Sequence, residues 1–264
     1  MNKYLLVAKN TWYETVAYRF NFVMWRIRVI FQLLTVYFLW LAIIPGNGDF
    51  LGYTKPLMLT YILGTSLIAS IALASRSYGI GDEINNGNLS NFLIKPINYF
   101  LYWFSKDMGD KAMNILFSVL ELTILFLLLH PPIFIQTNIF IIFLALISSA
   151  IALILYFFFN ILLGLIGFWS PDVWSPRFIF IILVNFFAGS LFPLDILPKS
   201  VFYFLQALPF TYVLYFPLKI YLGQLSQIEI YTGLFISTIW ALIMYWLVRT
   251  IWVKGLAFYT AYGR

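Results

Sequence analysis

Long runs of uncharged, mostly apolar residues alternate along this chain with short charged or proline-containing stretches. A helix needs about 20 apolar residues to cross a bilayer, and most of the runs are close to that length. Prolines, glycines and charged residues separate one run from the next. The pattern predicts six membrane-spanning helices, at residues 29–48, 56–75, 112–129, 139–169, 178–194 and 230–248.

The N-terminal residues 2–22 show helical periodicity instead of a continuous apolar run. Apolar residues recur every three or four positions along one face, and polar residues mark the opposite face. The apolar positions are Leu5, Ala8, Trp12, Val16 and Phe20, and the polar ones are Lys3, Asn10, Glu14 and Asn21. This favours an interfacial helix in the headgroup layer. The alternative is the cytosolic start of a long first spanning helix.

Residues 76–111 are the most polar stretch between two predicted spans. The basic residues are Arg76, Lys95, Lys106 and Lys111, and the acidic ones are Asp82, Glu83, Asp107 and Asp110. Because burying so many charges in lipid is costly, we expect the stretch to be solvated or docked on a soluble partner. It is long for a passive connector, which favours docking over a link that touches nothing.

The middle of this stretch predicts the docking element itself. Residues 82–85 indicate a short helix, Gly87 the turn after it, and Ser90 the cap of a second helix. We expect its carboxylates to meet basic partner residues and its apolar side chains to insert into a groove on the partner. The predicted docking residues are Asp82, Glu83, Ile84, Asn85, Gly87, Leu89, Phe92 and Leu93.

Residues 193–228 are apolar but interrupted. Four prolines recur too often for one continuous helix: Pro193, Pro198, Pro209 and Pro217. Three charged residues argue against a segment that crosses the whole membrane: Asp195, Lys199 and Lys219. Short apolar helices broken by prolines are typical of a re-entrant or interfacial element on the far side of the membrane.

Composition agrees with a membrane protein. Of the 264 residues, 62% are hydrophobic and 10% are charged, whereas soluble domains carry about 25% charged residues. We expect one all-α transmembrane domain over residues 1–264. The absence of Cys excludes disulfides and thiolate chemistry, and a single histidine, His130, argues against a multi-histidine metal site. Lys9 interrupts the first apolar run, so no cleavable signal peptide is predicted.

The basic residues predict the orientation. In the six-span layout, 13 of the 16 Lys and Arg residues share one side with both termini and residues 76–111, while Lys55, Lys199 and Lys219 lie on the other. Cytoplasmic loops of membrane proteins carry an excess of Lys and Arg. Both termini and residues 76–111 are therefore predicted to be cytoplasmic, and the basic residues indicate topology and not a nucleic-acid partner.

Sequence motifs for catalysis are missing. There is no phosphate-binding loop, nucleophile elbow or His-Glu-x-x-His helix, so we expect no catalytic residues, no metal and no ATP hydrolysis on this chain. Glu121 is the one ionisable group deep in a predicted span. It is either a substrate or proton site or a hydrogen-bonded glutamate that bridges helices, and the second reading is favoured.

Three segments resemble the ABC-2-type permeases, the membrane subunits of ATP-binding-cassette exporters. Residues 82–96, Asp-Glu-Ile-Asn-Asn-Gly-Asn-Leu-Ser-Asn-Phe-Leu-Ile-Lys-Pro, are similar to the loop after their second span. Residues 18–22 are similar to the end of their interfacial helix. Residues 189–198, together with the later Leu208-Pro209, are similar to their proline-broken external segment.

The resemblance implies half of a transporter in the plasma membrane, the bacterial inner membrane. Its partners would be a dimer of cytosolic ABC ATPases that holds ATP and Mg²⁺, a second permease, identical or related, and membrane lipids; this chain itself would bind no cofactor. The docking residues would then couple to the ATPase. The outer end of a path for a hydrophobic or amphipathic substrate (a drug, lipid or peptide) would be closed by Phe192, Pro193, Leu194, Pro198 and Pro209.

Two other functions compete with an export permease that has no enzymatic activity. An ion-coupled secondary transporter would use Glu121 for protons, and such carriers usually contain an internal repeat, which is not evident. A membrane-embedded lipid-modifying enzyme would need polar residues clustered at one membrane face. The candidates His130, Asp172 and Asp195 are scattered over both sides. The export permease is therefore favoured.

Overall fold

A computed structural model describes residues 3–44 and 48–259. The fold is mostly helical, as predicted, with one antiparallel hairpin formed by β1 (Asp49–Phe50) and β2 (Tyr53–Thr54). In chain order the helices are α1 (Lys3–Ala17), α2 (Arg19–Ile43), α3 (Lys55–Ala72), α4 (Gly79–Asn85), α5 (Ser90–Leu93), α6 (Tyr99–Leu129), α7 (Ile139–Leu165), α8 (Trp174–Phe187), α9 (Lys199–Gln206), α10 (Tyr215–Tyr221) and α11 (Gln227–Phe258).

Within the described residues, five helices are long and apolar enough to cross a membrane. They are α2, α3, α6, α7 and α11, and each overlaps one predicted span. The remaining predicted span, 178–194, corresponds to α8, which has only 14 residues and is about 21 Å long. Where the sequence predicts this span, the structure therefore has a short apolar helix. Residues 45–47, predicted to end the first span, lie outside the described residues.

Helix α1 is separate from α2. The backbone leaves the helical conformation at Tyr18, with φ −93° and ψ 34°, so the predicted continuous helix 2–22 is wrong beyond residue 17. Helix α1 packs against α6 and buries Thr11 and Thr15, while Leu5 and Val16 of its predicted apolar face stay exposed. An apolar face left open along a separate helix is what binding to the headgroup layer requires. Asn2, the predicted first residue, lies outside the described residues.

Helix α6 begins at Tyr99, well inside the stretch 76–111 that was predicted to be a loop. Asn98 starts it, because its side chain accepts a hydrogen bond from the Leu101 N–H at 3.0 Å. The expectation that all charges of this stretch are solvated or docked on a partner is wrong for Asp107 and Lys111. These side chains are buried, with exposed fractions of 0% and 2%.

Asp107 and Lys111 are buried because they complete the C-terminal end of α3. The Lys111 ammonium donates to the Ala72 carbonyl oxygen at 3.0 Å. The Asp107 carboxylate accepts from the Ser75 hydroxyl and the Arg76 N–H, both at 2.7 Å. The last carbonyls of a helix lack partners within it and favour a cation. The two charges therefore join α3 to α6 at the point where the charged stretch begins.

One end of the bundle, here called the charged end, holds α1, α4, α5 and the C-terminal end of α11. The Lys3 ammonium donates to the Pro96 carbonyl oxygen at 2.7 Å. The Ser90 N–H donates to the Tyr259 hydroxyl at 3.1 Å. The two ends of the described chain therefore meet at the same end as the stretch between α3 and α6.

The opposite end, here called the outer end, joins the hairpin, residues 130–138 and residues 189–226. The Trp40 indole donates to the Leu191 carbonyl oxygen at 2.9 Å, and the Gln136 amide donates to the Tyr221 carbonyl oxygen at 3.0 Å. Residues 189–226 consist of short helical pieces, as the prolines predict. Residues 211–220 are all buried, and α10 packs between α3 and α7.

Candidate functional site

The predicted docking element folds as two short helices, α4 and α5, with a turn between them. Gly87 has φ +73°, in the left-handed region that favours glycine, so the predicted glycine turn is confirmed. Ser90 is not the cap that was predicted, because α5 begins at Ser90 itself. Its hydroxyl instead donates back to the Gly87 carbonyl oxygen at 2.7 Å and closes the turn.

Two of the apolar residues predicted to enter a partner face inward. Ile84 and Leu89 are 5% and 0% exposed and belong to a hydrophobic cluster shared with α6, α7 and α11. The prediction that these two side chains insert into a partner groove is wrong, since they form part of this chain's own core. Phe92 is half-buried, and its ring packs against the rings of Tyr99 and Tyr102. These contacts hold the two short helices against the bundle.

Two of the polar docking residues, Glu83 and Asn85, form hydrogen bonds to other parts of the chain, whereas Asp82 is exposed to solvent. The Tyr99 hydroxyl donates to the Glu83 carboxylate at 2.7 Å, and burial raises the pKa of Glu83. The Asn85 amide donates to the Pro171 carbonyl oxygen at 2.9 Å. Asp82 is exposed and makes no ion pair within the part of the chain that the structure describes. Asp82 interacts electrostatically with Arg177 without forming an ion pair, and it is the more exposed of the two docking carboxylates.

The outward surface of this element is small and has an apolar edge. Leu93 is 48% exposed and Ile94 is 84% exposed. Asparagines and one carboxylate surround them. We call this surface the loop face and define it as Asp82, Asn86, Asn88, Asn91, Leu93 and Ile94. The sequence analysis missed Ile94 because three consecutive apolar residues, Phe92 to Ile94, do not show which of them faces outward.

Glycines bring α4 into direct contact with the end of α7. A Cβ added at Gly164 would lie 2.7 Å from the Ile80 Cβ, and one added at Gly167 would lie 2.9 Å from the Gly81 carbonyl oxygen. Neither distance leaves room for a methyl group, so the backbones of the two segments touch. A displacement of α4 therefore pushes directly on α7, which itself packs against α3, α10 and α11.

A groove of about 590 Å³ lies between α2, α3 and α8. Its apolar residues include Trp25, Val29 and Leu33 of α2, and hydroxyl groups come from Thr65 and Ser70 of α3. Charged side chains line it as well: Glu14, Arg26, Arg28, Arg76, Asp110 and Arg177. The groove is thus amphipathic, because apolar side chains alternate along its walls with many polar and charged ones.

Glu121 is held by an arginine from another helix. The Arg26 Nε donates to Glu121 Oε1 at 2.7 Å, and a second contact joins the Arg26 guanidinium to Oε2. A further arginine N–H donates to the Asn114 side-chain oxygen at 3.4 Å. The side chains of Arg26 and Glu121 are only 6% and 10% exposed. This geometry supports the reading of Glu121 as a residue that bridges helices.

The predicted outer-gate residues gather at the outer end. Pro193, Leu194 and Pro209 are buried, Phe192 is half-buried, and Pro198 is exposed. Leu194 belongs to a hydrophobic cluster with residues of α3 and α10, and Phe192 packs against the same cluster, whereas Pro198 only starts α9. The structure therefore brings Phe192 and Leu194 into one packed layer, and it leaves Pro198 at the surface.

A polar cluster, here called the outer cluster, lies beside that layer and consists of Tyr53, Asp195, Lys219 and Gln224. The buried Lys219 ammonium donates to Asp195 and Gln224 at 2.7 Å each and to the Tyr53 hydroxyl at 2.9 Å. The Tyr53 hydroxyl also donates to Asp195 at 2.8 Å. The cluster ties the hairpin to residues 189–226.

The charged end with its loop face, the groove and the packed outer end agree with one family. A family model described as ABC-2 family transporter protein matches residues 30–263. The chain belongs to this family. It is a multi-pass membrane protein, and membership implies association with ABC ATPase partners. No curated protein sequence matches this ABC-2 family protein.

Three polar constellations of this ABC-2 family protein escaped the sequence analysis. They are the Arg26–Glu121 pair, the Asp107–Lys111 pair and the outer cluster. A signal existed for the first two: Arg26 and Glu121 are opposite charges inside two apolar helices, and Asp107 and Lys111 are four residues apart. No group of three or more Asp, Glu or His side chains that could hold a metal ion is found over residues 3–44 and 48–259.

Proposed function

We propose that this chain is the permease subunit of an ATP-driven exporter and has no enzymatic activity of its own. ATP and Mg²⁺ are bound by a separate dimer of cytosolic ABC ATPases. A second permease, identical or related, completes the transporter in the plasma membrane, the bacterial inner membrane. Both termini and the loop face lie in the cytoplasm, which the distribution of 13 basic residues against 3 supports.

The observation that carries this proposal is the loop face itself. It stands at the end where both described chain ends meet. It presents the exposed Leu93 and Ile94 together with the exposed Asp82, which makes no ion pair among the residues that the structure describes. A small apolar anchor with a polar rim is the pattern of a protein interface. The side chains behind it are fixed by core packing and by the hydrogen bonds of Glu83 and Asn85, so a partner meets a preformed surface.

The contact between α4 and α7 supplies a route from the ATPase to the membrane helices. Closure of the ATPase dimer moves the loop face, and α4 passes the displacement to α7 at Gly164 and Gly167. Helix α7 contacts α3, which lines the groove, and α10, which lies at the outer end. The groove and the outer end thus belong to the same packed unit as the loop face.

The groove between α2, α3 and α8 is the proposed substrate path. Its apolar side chains suit a hydrophobic or amphipathic substrate, and the second permease covers its open side. The packed layer around Phe192 and Leu194 closes the path at the outer end. The outward direction of transport is part of the proposal, and the resemblance to exporter permeases supports it.

The test changes the loop face and reads out the ATPase. Leu93→Asp and Ile94→Asp place a charge in the apolar anchor without touching the core. Ile135→Asp, at the 66% exposed Ile135 of the outer end, is the matched control. When the protein is purified from its native host, an ABC ATPase should copurify with wild type and with the control, and both preparations should hydrolyse ATP.

We expect the two loop-face variants to insert in the membrane at the wild-type level while retaining little ATPase. Full copurification and full ATP hydrolysis with both variants would overturn the proposal. Loss of ATPase from the Ile135→Asp variant as well would do the same, because the contact would then not be confined to the charged end.

A further inference from the structure

The groove contains two arginines that its carboxylates do not neutralise. Arg76 takes both lining carboxylates, since its guanidinium pairs with Glu14 at 3.1 Å and with Asp110 at 2.9 Å. Arg26 pairs with Glu121. Arg28 and Arg177 line the same groove, and neither takes part in an ion pair among residues 3–44 and 48–259.

Arg177 also has an unmet hydrogen-bonding group. Its Nε is buried and has no hydrogen-bond partner in the described part of the chain. Its guanidinium carbon lies 3.5 Å from the ring centroid of Tyr78. The ring therefore stacks on the guanidinium, whose N–H groups point outward in the guanidinium plane and do not donate to the ring. A buried donor without an acceptor is costly, and an anion in the groove would remove that cost.

The two arginines stand on different walls, Arg28 on α2 and Arg177 in the first turn of α8. Along α2 beyond Arg28, the apolar side chains of Val29, Leu33 and Val36 line the groove, with the Gln32 amide among them. The groove is therefore cationic near the charged end, and deeper in the bundle it offers apolar side chains interspersed with uncharged polar ones. A ligand that satisfies both parts carries a negative charge at one end and an alkyl chain at the other.

We propose that the groove binds an amphipathic molecule with an anionic headgroup, whose headgroup is held by Arg28 and Arg177 and whose chain lies along α2. This inference rests on the proposed function, because it names the substrate class of the path assigned there. Phosphate and carboxylate headgroups share the required chemistry, since a guanidinium binds either through two parallel hydrogen bonds. The source is a bilayer lipid or a free single-chain amphiphile.

The experiment compares headgroups on one constant chain. The complex of this chain with its ATPase is reconstituted in phosphatidylcholine nanodiscs, and equilibrium binding of labelled dodecyl phosphate is measured. Unlabelled dodecyl phosphate, dodecyltrimethylammonium, dodecyl maltoside and inorganic phosphate serve as competitors. We expect only dodecyl phosphate to compete strongly, because the cationic and neutral headgroups lack the charge and inorganic phosphate lacks the chain.

Two variants test the assigned residues. Arg28→Gln/Arg177→Gln should weaken dodecyl phosphate binding by about tenfold or more, as expected for the loss of two charge-assisted contacts. Arg249→Gln is the matched control, because Arg249 is exposed, lies over the ring of Tyr245 and does not line the groove. It should bind dodecyl phosphate like wild type.

Replacing part of the phosphatidylcholine by phosphatidylglycerol separates the sources. Competition by phosphatidylglycerol identifies a bilayer lipid as the ligand, and its absence identifies a single-chain amphiphile. Equal competition by the cationic and anionic amphiphiles, or equal binding by the double variant and wild type, overturns the inference. If the ATPase copurifies and hydrolyses ATP while headgroup preference is missing, the inference fails and the proposed function stands. If no ATPase copurifies, the proposed function fails, and binding is read on this chain alone in the same nanodiscs.

Discussion

The Arg26 guanidinium of α2 and the Glu121 carboxylate of α6 form an ion pair that joins two helices, although the two residues are 95 positions apart in sequence. Both side chains are almost completely buried, and Glu121 lies in the apolar C-terminal half of α6. Each charge makes the other tolerable, since removing one partner of a buried pair leaves an uncompensated charge and costs about 3–5 kcal/mol. The pair thereby fixes how α2 and α6 lie together.

Glu121→Ala should lower the free energy of unfolding by about 3 kcal/mol. Glu14→Ala, which removes a carboxylate from an exposed ion pair with Arg76, should cost less than about 1 kcal/mol. Arg26→Met/Glu121→Met should recover most of the lost stability, because neither charge is left alone. Thermal unfolding of the detergent-solubilised protein measures all three.

The same residue distinguishes the permease from a proton-coupled carrier. If Glu121 only bridges helices, Glu121→Gln, which keeps an oxygen acceptor for Arg26, should retain ATP-driven transport. A Glu121→Gln protein of wild-type stability that has lost transport, while transport in wild type follows a proton gradient without ATP, would support the carrier instead.

Lys111→Met should destabilise the junction of α3 and α6. The substitution removes the donor to the Ala72 carbonyl oxygen and leaves Asp107 buried without its neighbouring cation, so we expect a loss of about 2–4 kcal/mol. Lys106→Met is the control on the same helix, because the Lys106 ammonium lies over the rings of Tyr102 and Trp103 and takes no part in the junction of α3 and α6; its electrostatic partner is Glu83. Equal unfolding temperatures for the two variants would contradict the capping role of Lys111.

Asp195→Asn should loosen the outer end locally. The change removes the charge that holds the buried Lys219 and weakens the link to Tyr53 of the hairpin. We expect faster hydrogen exchange in residues 48–54 and 215–221, with unchanged exchange at the charged end. Lys199→Met is the control, since Lys199 is exposed and makes no ion pair in the described ranges. If the two variants exchanged at the same rate in these residues, the outer cluster would not restrain the hairpin.

Glu83 predicts a pH dependence of stability. Burial raises the folded-state pKa of Glu83 above its ordinary value of 4.5, so the folded protein keeps a proton that the unfolded chain has released. The resulting stabilisation is fully present below pH 4.5 and is lost as the pH rises through the raised pKa. Between about pH 4 and pH 7, the unfolding temperature should therefore decrease with rising pH more steeply in wild type than in Glu83→Gln. Parallel profiles would contradict this role of Glu83.

Gly167→Ala should separate ATPase binding from transport. The added methyl group would meet the Gly81 carbonyl oxygen, so α4 must shift away from α7 while the loop face keeps its composition. We expect the ATPase to copurify and transport to fall at least severalfold. Gly64→Ala is the control, because its methyl group would meet only the end of the flexible Leu218 side chain. Normal transport by Gly167→Ala would argue against this contact as the route of coupling.

The spanning helices were predictable because a helix needs about 20 consecutive apolar residues to cross a bilayer, and runs of this length, such as 139–169, are visible in the sequence. Helix ends were harder. Tyr99 begins α6 inside a charged stretch because Asp107 and Lys111 find partners on α3, and a pairing between distant helices leaves no periodic trace in one sequence. The inward positions of Ile84 and Leu89 have the same origin, since the composition of a short helix does not state which neighbour covers it.

The glycine turn and the proline breaks were predictable for a local reason. Gly87 adopts a backbone conformation that other residues resist. Prolines are tolerated only in the first turn of a helix or between helices, which is where Pro217 of α10 and Pro198 before α9 lie. The outer cluster was not predictable, because Tyr53, Asp195 and Lys219 come from three separate segments that only the folded bundle brings together.

Helix α8 has a consequence for the lipid around the protein. At about 21 Å it is about 9 Å shorter than a typical hydrocarbon core. A bilayer adapts to a short apolar surface by becoming thinner beside it. Because α8 is one wall of the groove, the thinned patch would lie against the outer surface of that wall. The bilayer would then be thin next to the proposed path, which would shorten the distance that a substrate tail has to cross.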